Sequence, residues 1–394
     1  MIRGWYYKQK IKGMLLTAFK SGEMGIKSKL INNDKMIYPN LKRMDIDYEK
    51  ETIQFVFVLP YGLDPEVIKK KQYCFEQVFG KQFELKAKSA KLFLLTIYTK
   101  PFTQKVIYDY QTYSLLIKDM KMPVICGMNL KGETVIYDMV EENKANILVG
   151  GNPGSGKSSQ IRSILTTLIL HHNPTKLHLH LADLKGGEFH LFRDIPHVKG
   201  VYKDAHSFKV AMFELKKELA RRGELLDYYG QVHIDNLPFE LPYILVCIDE
   251  FAELAEESEV QELVRRYSSL GRALGCFLIN STQRPSADLL KTSIRSNMNV
   301  RMGFQVADKV NARICGTPGS ENIEVKGRMI CKINKPFEVQ APFLDDNACK
   351  KLLERYKSPS ERKLPKDKIN ILQTVPPIQI DETKQNDVFE VLGE

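Results

Sequence analysis

The stretch Ala145-Asn-Ile-Leu-Val-Gly-Gly-Asn-Pro-Gly-Ser-Gly-Lys-Ser-Ser159 constrains this chain more than any other. Its apolar run Ile147-Leu148-Val149 reads as a buried strand. A glycine-rich turn follows, then Ile161, Ile164, Leu165, Leu168 and Ile169 recur at helical spacing. Gly151 to Ser158 fits G-x-x-x-x-G-K-[ST], the phosphate-binding loop pattern. In that pattern the segment Gly151, Asn152, Pro153, Gly154, Ser155, Gly156, Lys157, Ser158 and Ser159 surrounds phosphate oxygens. Backbone N–H groups and the positive end of the helix dipole supply the attraction. Lys157 is expected at the β- and γ-phosphates, and the Ser158 hydroxyl at a magnesium ion.

A second apolar strand, Tyr243-Ile-Leu-Val-Cys-Ile, runs into Asp249-Glu250. A buried parallel strand delivers such acids to its carboxyl end, where ligands of open α/β sheets bind. Asp249 is placed there to hold magnesium together with Ser158, and Glu250 to polarise an attacking water. Ser281-Thr282-Gln283-Arg284-Pro285 closes the next apolar run. The neutral Gln283 amide could donate to a γ-phosphate; a capping polar turn is the plainer reading.

Apolar runs alternate with helical patterns from about Met122, which predicts a mostly parallel sheet with helices on both faces. Strands are expected near Ile147–Val149, Leu177–Ala182, Ile244–Ile248, Cys276–Asn280 and Val300–Phe304. Helices are expected near Lys157–His171, Ser207–Tyr229 and Val260–Leu274. A small α/β unit precedes this core. It has a strand at Thr52–Leu59, a helix opened by Asp64-Pro65 and stopped by Gly80, and two strands at Gln82–Lys88 and Lys91–Tyr98. The division is 1–40 as a basic arm or linker, 41–120 as the small unit, 121–356 as the core and 357–394 as a flexible, polar tail. A linker, a packing arm and a DNA-facing arm all remain open for residues 1–40.

Charge narrows the partners. The formal net charge of +10 favours an acidic partner such as nucleic acid or a membrane surface. No apolar run approaches the 18 residues that a membrane span needs, and no signal-peptide pattern opens the chain. Seven scattered cysteines with no C-x-x-C pair argue for reduced thiols and against structural zinc. The expected location is cytoplasmic, at the inner face of the membrane if a partner recruits the chain.

The ordered set Gly151–Ser158, Leu241–Leu254 and Ser281–Ser286 resembles the FtsK/SpoIIIE family of DNA-pumping ATPases. Asp183–Glu188, Ile294–Arg301 and Val306–Arg313 agree with the same pattern, so the resemblance covers about Met122 to Leu344. More weakly, residues 52–98 resemble the small domain ahead of the motor in that family. The resemblance implies a RecA-like P-loop motor using ATP and Mg2+, assembled as a homo-hexameric ring around DNA. Arg272 matches the arginine finger given to the neighbouring subunit, with Arg265, Arg266 and Arg284 as rivals. Arg295, Lys309 and Arg313 match positions on DNA-facing loops. The layout is closest to coupling proteins of Gram-positive conjugative elements, which implies a membrane-anchored or relaxase-type partner. A winged helix reading chromosomal sequence is not expected. The alternative within the same motor class is a type VII secretion-like protein-export ATPase.

Overall fold

The computed structural model describes residues 2–27, 36–100, 102–286 and 291–357. All but Lys357 of the expected 357–394 tail, and Lys29 of the basic arm, lie outside the described residues.

The small unit is a four-stranded antiparallel sheet, in the order Asn40–Asp47, Thr52–Val58, Leu92–Tyr98, Phe83–Ala87. Alternation along Thr52–Val58 turns Phe55 and Phe57 into the core, where they join Phe75 and Phe93. The helix expected between Asp64 and Gly80 keeps both ends. The Asp64 carboxylate accepts from the Glu66 N–H, and Gly80 closes the segment at φ 83°. It is nevertheless two helices, Pro65–Lys70 and Gln72–Phe79. The break falls at Lys71, whose ammonium donates to the Gly22 carbonyl at 2.5 Å.

That bond ties the small unit to the N-terminal segment. Of the readings open for residues 1–40, the packing arm fits, since the segment begins with a helix at Ile2–Ser21. Leu15, Ala18 and Phe19, with Met24 just beyond, are buried in the small unit's core. The Phe19 ring meets that of Phe57 edge-on at 5.0 Å. The lysines at 8, 10, 12 and 20 stay exposed. An amphipathic helix with one apolar stripe packs rather than dangles.

The large unit is built on a ten-stranded mixed sheet. Six strands are parallel, in the order Val198–Tyr202, Leu177–Ala182, Tyr243–Ile248, Cys276–Thr282, Asn146–Gly150, Val300–Gly303. From Val300–Gly303 the sheet continues antiparallel through Arg328–Lys332, Pro336–Gln340, Pro123–Asn129 and Thr134–Asp138. The expected α/β core is therefore present, and the antiparallel half is an addition. One face is covered by the helix Lys157–His171, with Cys349 and Leu353 of the helix Asp346–Leu353 beside it. The other face is covered by Ala205–Tyr229 and Ser258–Leu270. Central strands such as Ile147-Leu148-Val149 carry apolar side chains on both faces, as burial from both sides requires. No helix among the described residues is long and apolar enough to cross a membrane.

Candidate functional site

Parallel strands in register bring their carboxyl ends to one rim. Gly150 pairs with Thr282 and with Gly303, Ile248 with Asn280, and Ala182 with Ile248. The residues that follow these strands therefore converge: Gly151–Ser158, Asp249-Glu250, Gln283 and Asp183. This is the region where open α/β sheets place ligands.

The loop between strand and helix is held by its backbone on three sides. Gly151 N–H donates to Thr282 O (3.2 Å) and Asn152 N–H to Gln305 O (2.7 Å), while Ser155 O accepts from Gly327 N–H (2.8 Å). Gly156 lies at φ 117°, and a Cβ there would stand 2.7 Å from the Gly327 Cα. Only glycine fits. Gly150 and Gly303 are equally tight: a Cβ would meet Cys315 Sγ at 2.2 Å and Thr317 Oγ1 at 1.9 Å.

Lys157, the first residue of the helix, is 4% exposed. Its ammonium has no hydrogen-bond partner among the described residues and stands 3.9 Å from the Glu250 carboxylate. Burial pulls its pKa down, while Glu250 and Asp249 hold it up. A buried ammonium without a hydrogen bond beside a glycine-rich helix start is suited to an anion with several oxygens.

Asp249 is 3% exposed, and its pKa is raised to about 6. Burial is the largest cause; the nearby Glu188, Glu250 and Asp183 add to it, and Lys157 opposes them. Glu250 is firmly held: Thr282 Oγ1 donates to Oε1 at 2.9 Å, and the Gln283 N–H donates to Oε2 at 3.0 Å. The Gln283 side-chain oxygen accepts from the Lys185 ammonium at 2.7 Å. The Ser158 hydroxyl donates to Glu188 Oε1 at 2.6 Å. Hydroxyl and carboxylate oxygens form a hard donor set that suits Mg2+, so Ser158 and Asp249 are fit to hold one. The ion would supply charge neutralisation on phosphate oxygens when bound.

The Ser159 side chain points elsewhere. Its hydroxyl lies against Pro342 O and Leu344 O and accepts from the Leu344 N–H at 2.9 Å. One helical step past Ser158 turns the side chain away from the phosphate loop, and it fastens the C-terminal segment instead.

Four residues of the quoted motif segments, to which the sequence assigned no individual role, also line the rim: Asp183, Lys185, Glu188 and Thr282. Asp183 is buried and accepts from the N–H groups of Gly187, Glu188 and Phe189 at 3.2 to 3.3 Å. That cap, with Gly186 and Gly187 at positive φ, folds the loop back so that Glu188 faces Ser158. An acid closing a strand five residues before another acid, with Gly-Gly between, was the available signal.

Arg272 is not part of this rim. It is exposed in the turn before the seven-residue strand Cys276–Thr282. At about 3.3 Å per residue that strand puts it ~20 Å from Thr282, beyond reach of its own chain's site. Of the other basic positions, Lys309 and Arg313 are exposed, one turn apart on the helix Lys309–Cys315. Arg295 is half-buried and donates to Thr292 Oγ1 at 3.1 Å. Arg301 joins the two segments by donating to Arg295 O (2.8 Å) and Cys315 O (3.1 Å).

Residues 114–240 match the profile of the FtsK/SpoIIIE family. The "DNA translocase FtsK" of Borreliella burgdorferi is 32% identical over 256 residues, covering 61% of this chain and 32% of that protein. The "DNA translocase SpoIIIE" of Bacillus subtilis is 31% identical over 257 residues, covering 60% of this chain and 32% of that protein. The chain thus spans about a third of the length of these curated relatives. Among solved structures, the pCW3 conjugation coupling protein TcpA with ATPγS superposes with a TM-score of 0.59 at 23% identity, covering 86% of this chain and 98% of that one. ATPases 2 and 3 of EssC from Geobacillus thermodenitrificans reach 0.58 at 18% identity, covering 71% and 54%. Both likenesses are of fold. The large unit shares the fold of these solved structures, and residues 114–240 match the FtsK/SpoIIIE family profile.

Proposed function

We propose that this chain, FtsK/SpoIIIE-type in its large unit, is an ATP-driven DNA translocase that hydrolyses Mg·ATP and moves DNA for a mobile element. The observation that carries the reading is the convergence of Lys157, Ser158, Asp249, Glu250 and Gln283 on one rim. The phosphate loop with Lys157 binds the triphosphate, and Ser158 and Asp249 take the ion. Glu250, fixed by Thr282 and Gln283, orients and deprotonates the attacking water. Gln283 stands where loss of the γ-phosphate is felt. Arg272, remote from its own site, acts in trans on a neighbouring subunit's nucleotide, which calls for a ring. Arg295, Lys309 and Arg313 take DNA phosphates without regard to sequence, in keeping with the net charge of +10. The resemblance to conjugation coupling proteins makes transfer the proposed setting, with a membrane-anchored or relaxase-type partner.

The test is steady-state ATP hydrolysis of wild type and Lys157→Ala, with and without long duplex DNA, at two salt concentrations. The expected result is stimulation by duplex that weakens steeply with salt and is absent in the variant. Hydrolysis indifferent to DNA overturns the reading and turns the search toward a polypeptide substrate, as the type VII secretion-like alternative requires.

A further inference from the structure

The short loop between Asp183 and Phe189 contributes two side chains to the nucleotide rim: Lys185 to Gln283 and Glu188 to Ser158. The second contact bears on the metal. Ser158 Oγ is the oxygen fitted to hold magnesium, and Glu188 Oε1 lies 2.6 Å from it. Oxygens held by a small octahedral ion, with bonds of about 2.1 Å, stand ~3 Å apart when they are neighbours in its shell. A carboxylate this close to one ligand borders the shell of such an ion, where it can meet the ion itself or a water bound to it.

Glu188 is also built into place. Its own N–H and those of Gly187 and Phe189 are gathered by the buried Asp183 carboxylate. Its second oxygen, Oε2, lies 3.8 Å from Arg162. Arg162 is in turn fixed by Leu344 O at 2.7 Å and Asp346 at 2.7 Å. The charge around the rim favours a cation. Glu250, Asp249 and Glu188 surround Lys157, a buried ammonium with no hydrogen-bond partner among the described residues. That ammonium points independently to a phosphate ligand, with which the ion would arrive.

The geometry points to Glu188 as a third side chain of the magnesium site, beside Ser158 and Asp249, acting on the ion or on its bound water. This rests on the proposed nucleotide-hydrolysing reading and deepens it. In the nucleotide-free protein Glu188 occupies Ser158; when Mg·ATP binds, the Ser158 oxygen turns to the ion and Glu188 serves the shell it already borders. Glu188 is a positioning residue for the metal rather than a group that touches the reacting phosphorus.

The experiment compares the full chain with its Glu188→Gln variant by two titrations. A fluorescent ATP analogue is titrated in chelator, and Mn2+ is titrated into the protein–nucleotide complex and followed by electron paramagnetic resonance. The glutamine keeps an oxygen that can accept from Ser158, so a purely structural contact survives the change. The expected result is metal-free nucleotide affinity within about twofold of wild type and a Mn2+ affinity lowered ~10- to 100-fold. Unchanged Mn2+ affinity overturns the assignment. Equal losses in both titrations overturn it too, because they assign Glu188 to shaping the phosphate loop. Wild type that binds no nucleotide in either titration refutes the underlying ATPase reading instead, which keeps the two failures apart.

Discussion

Asp249→Asn should make the nucleotide-free protein more stable while abolishing its response to magnesium. The Asp249 carboxyl is 3% exposed, and its pKa is raised to about 6 from an ordinary 3.8, chiefly by burial. Between those two values the folded protein keeps a proton that the unfolded chain has released. Folding is then linked to proton uptake, so stability falls as pH rises through that window and stays at the lower level above it. Two units at about 1.4 kcal/mol each give ~3 kcal/mol as the largest cost at neutral pH. Asparagine carries no charge and escapes that cost. At pH 8 in chelator the variant should therefore melt several degrees above wild type, at on the order of 2 °C per kcal/mol. At pH 4 the gap should close. Adding magnesium with a non-hydrolysable ATP analogue should raise the melting temperature of wild type far more than that of the variant. Thermal melts across pH 4 to 8 decide the matter. A variant less stable than wild type at pH 8, or a gap that does not change with pH, refutes the reasoning.

Three further outcomes follow from other contacts. Thr282→Val removes the hydroxyl that donates to Glu250 at 2.9 Å; turnover should fall ~10-fold or more with nucleotide affinity unchanged, since a hydrogen bond to a charged group contributes about 1.5–3 kcal/mol. Unaltered kcat would show that this bond does not hold the base. Arg272→Ala should bind nucleotide but not turn it over, and mixing it with Lys157→Ala should restore part of the activity; no recovery at any ratio excludes action in trans. Arg222 is fully buried and donates to Glu218 (2.7 Å), Leu274 O (2.7 Å) and Pro242 O (2.8 Å). Arg222→Ala should cost about 1–3 kcal/mol in urea unfolding for each of the Leu274 and Pro242 carbonyls it leaves without a donor, while Glu218 keeps Arg221.

What the sequence made legible was local. The helix Lys157–His171 and the strand Leu177–Ala182 have the boundaries expected from their periodicity. Caps did the same at Asp64 and Gly80, because each acts through its nearest neighbours. The part of the site to which the sequence assigned no individual role depends on distance in the chain. Glu188 reaches Ser158 across 30 residues, and only after Asp183 has folded the intervening loop. Thr282 meets Glu250 across a strand pairing that no short pattern announces. Ser159 divides its roles: a one-residue step around a helix is 100° and puts its hydroxyl on Leu344, which leaves only its backbone to the phosphate loop. The lysines of the first twenty residues masked a narrow apolar stripe at Leu15, Ala18 and Phe19, which only tertiary packing reveals.

The closeness of Gly150 and Gly303 to Cys315 and Thr317 has a mechanical meaning. The strand that leads into the phosphate loop has its Gly150 backbone directly against the Cys315 side chain at the end of the helix Lys309–Cys315. The loop itself is bonded to Gln305, four residues before that helix begins. From Cys315 to Lys309 is six residues, a lever of about 9 Å at 1.5 Å per residue. Interposed methyl groups would act as a compliant washer; backbone against side chain does not, because close-packed interiors resist compression. The linkage from the phosphate loop to the exposed Lys309 and Arg313 is accordingly short and stiff, with little slack to absorb a displacement of an ångström.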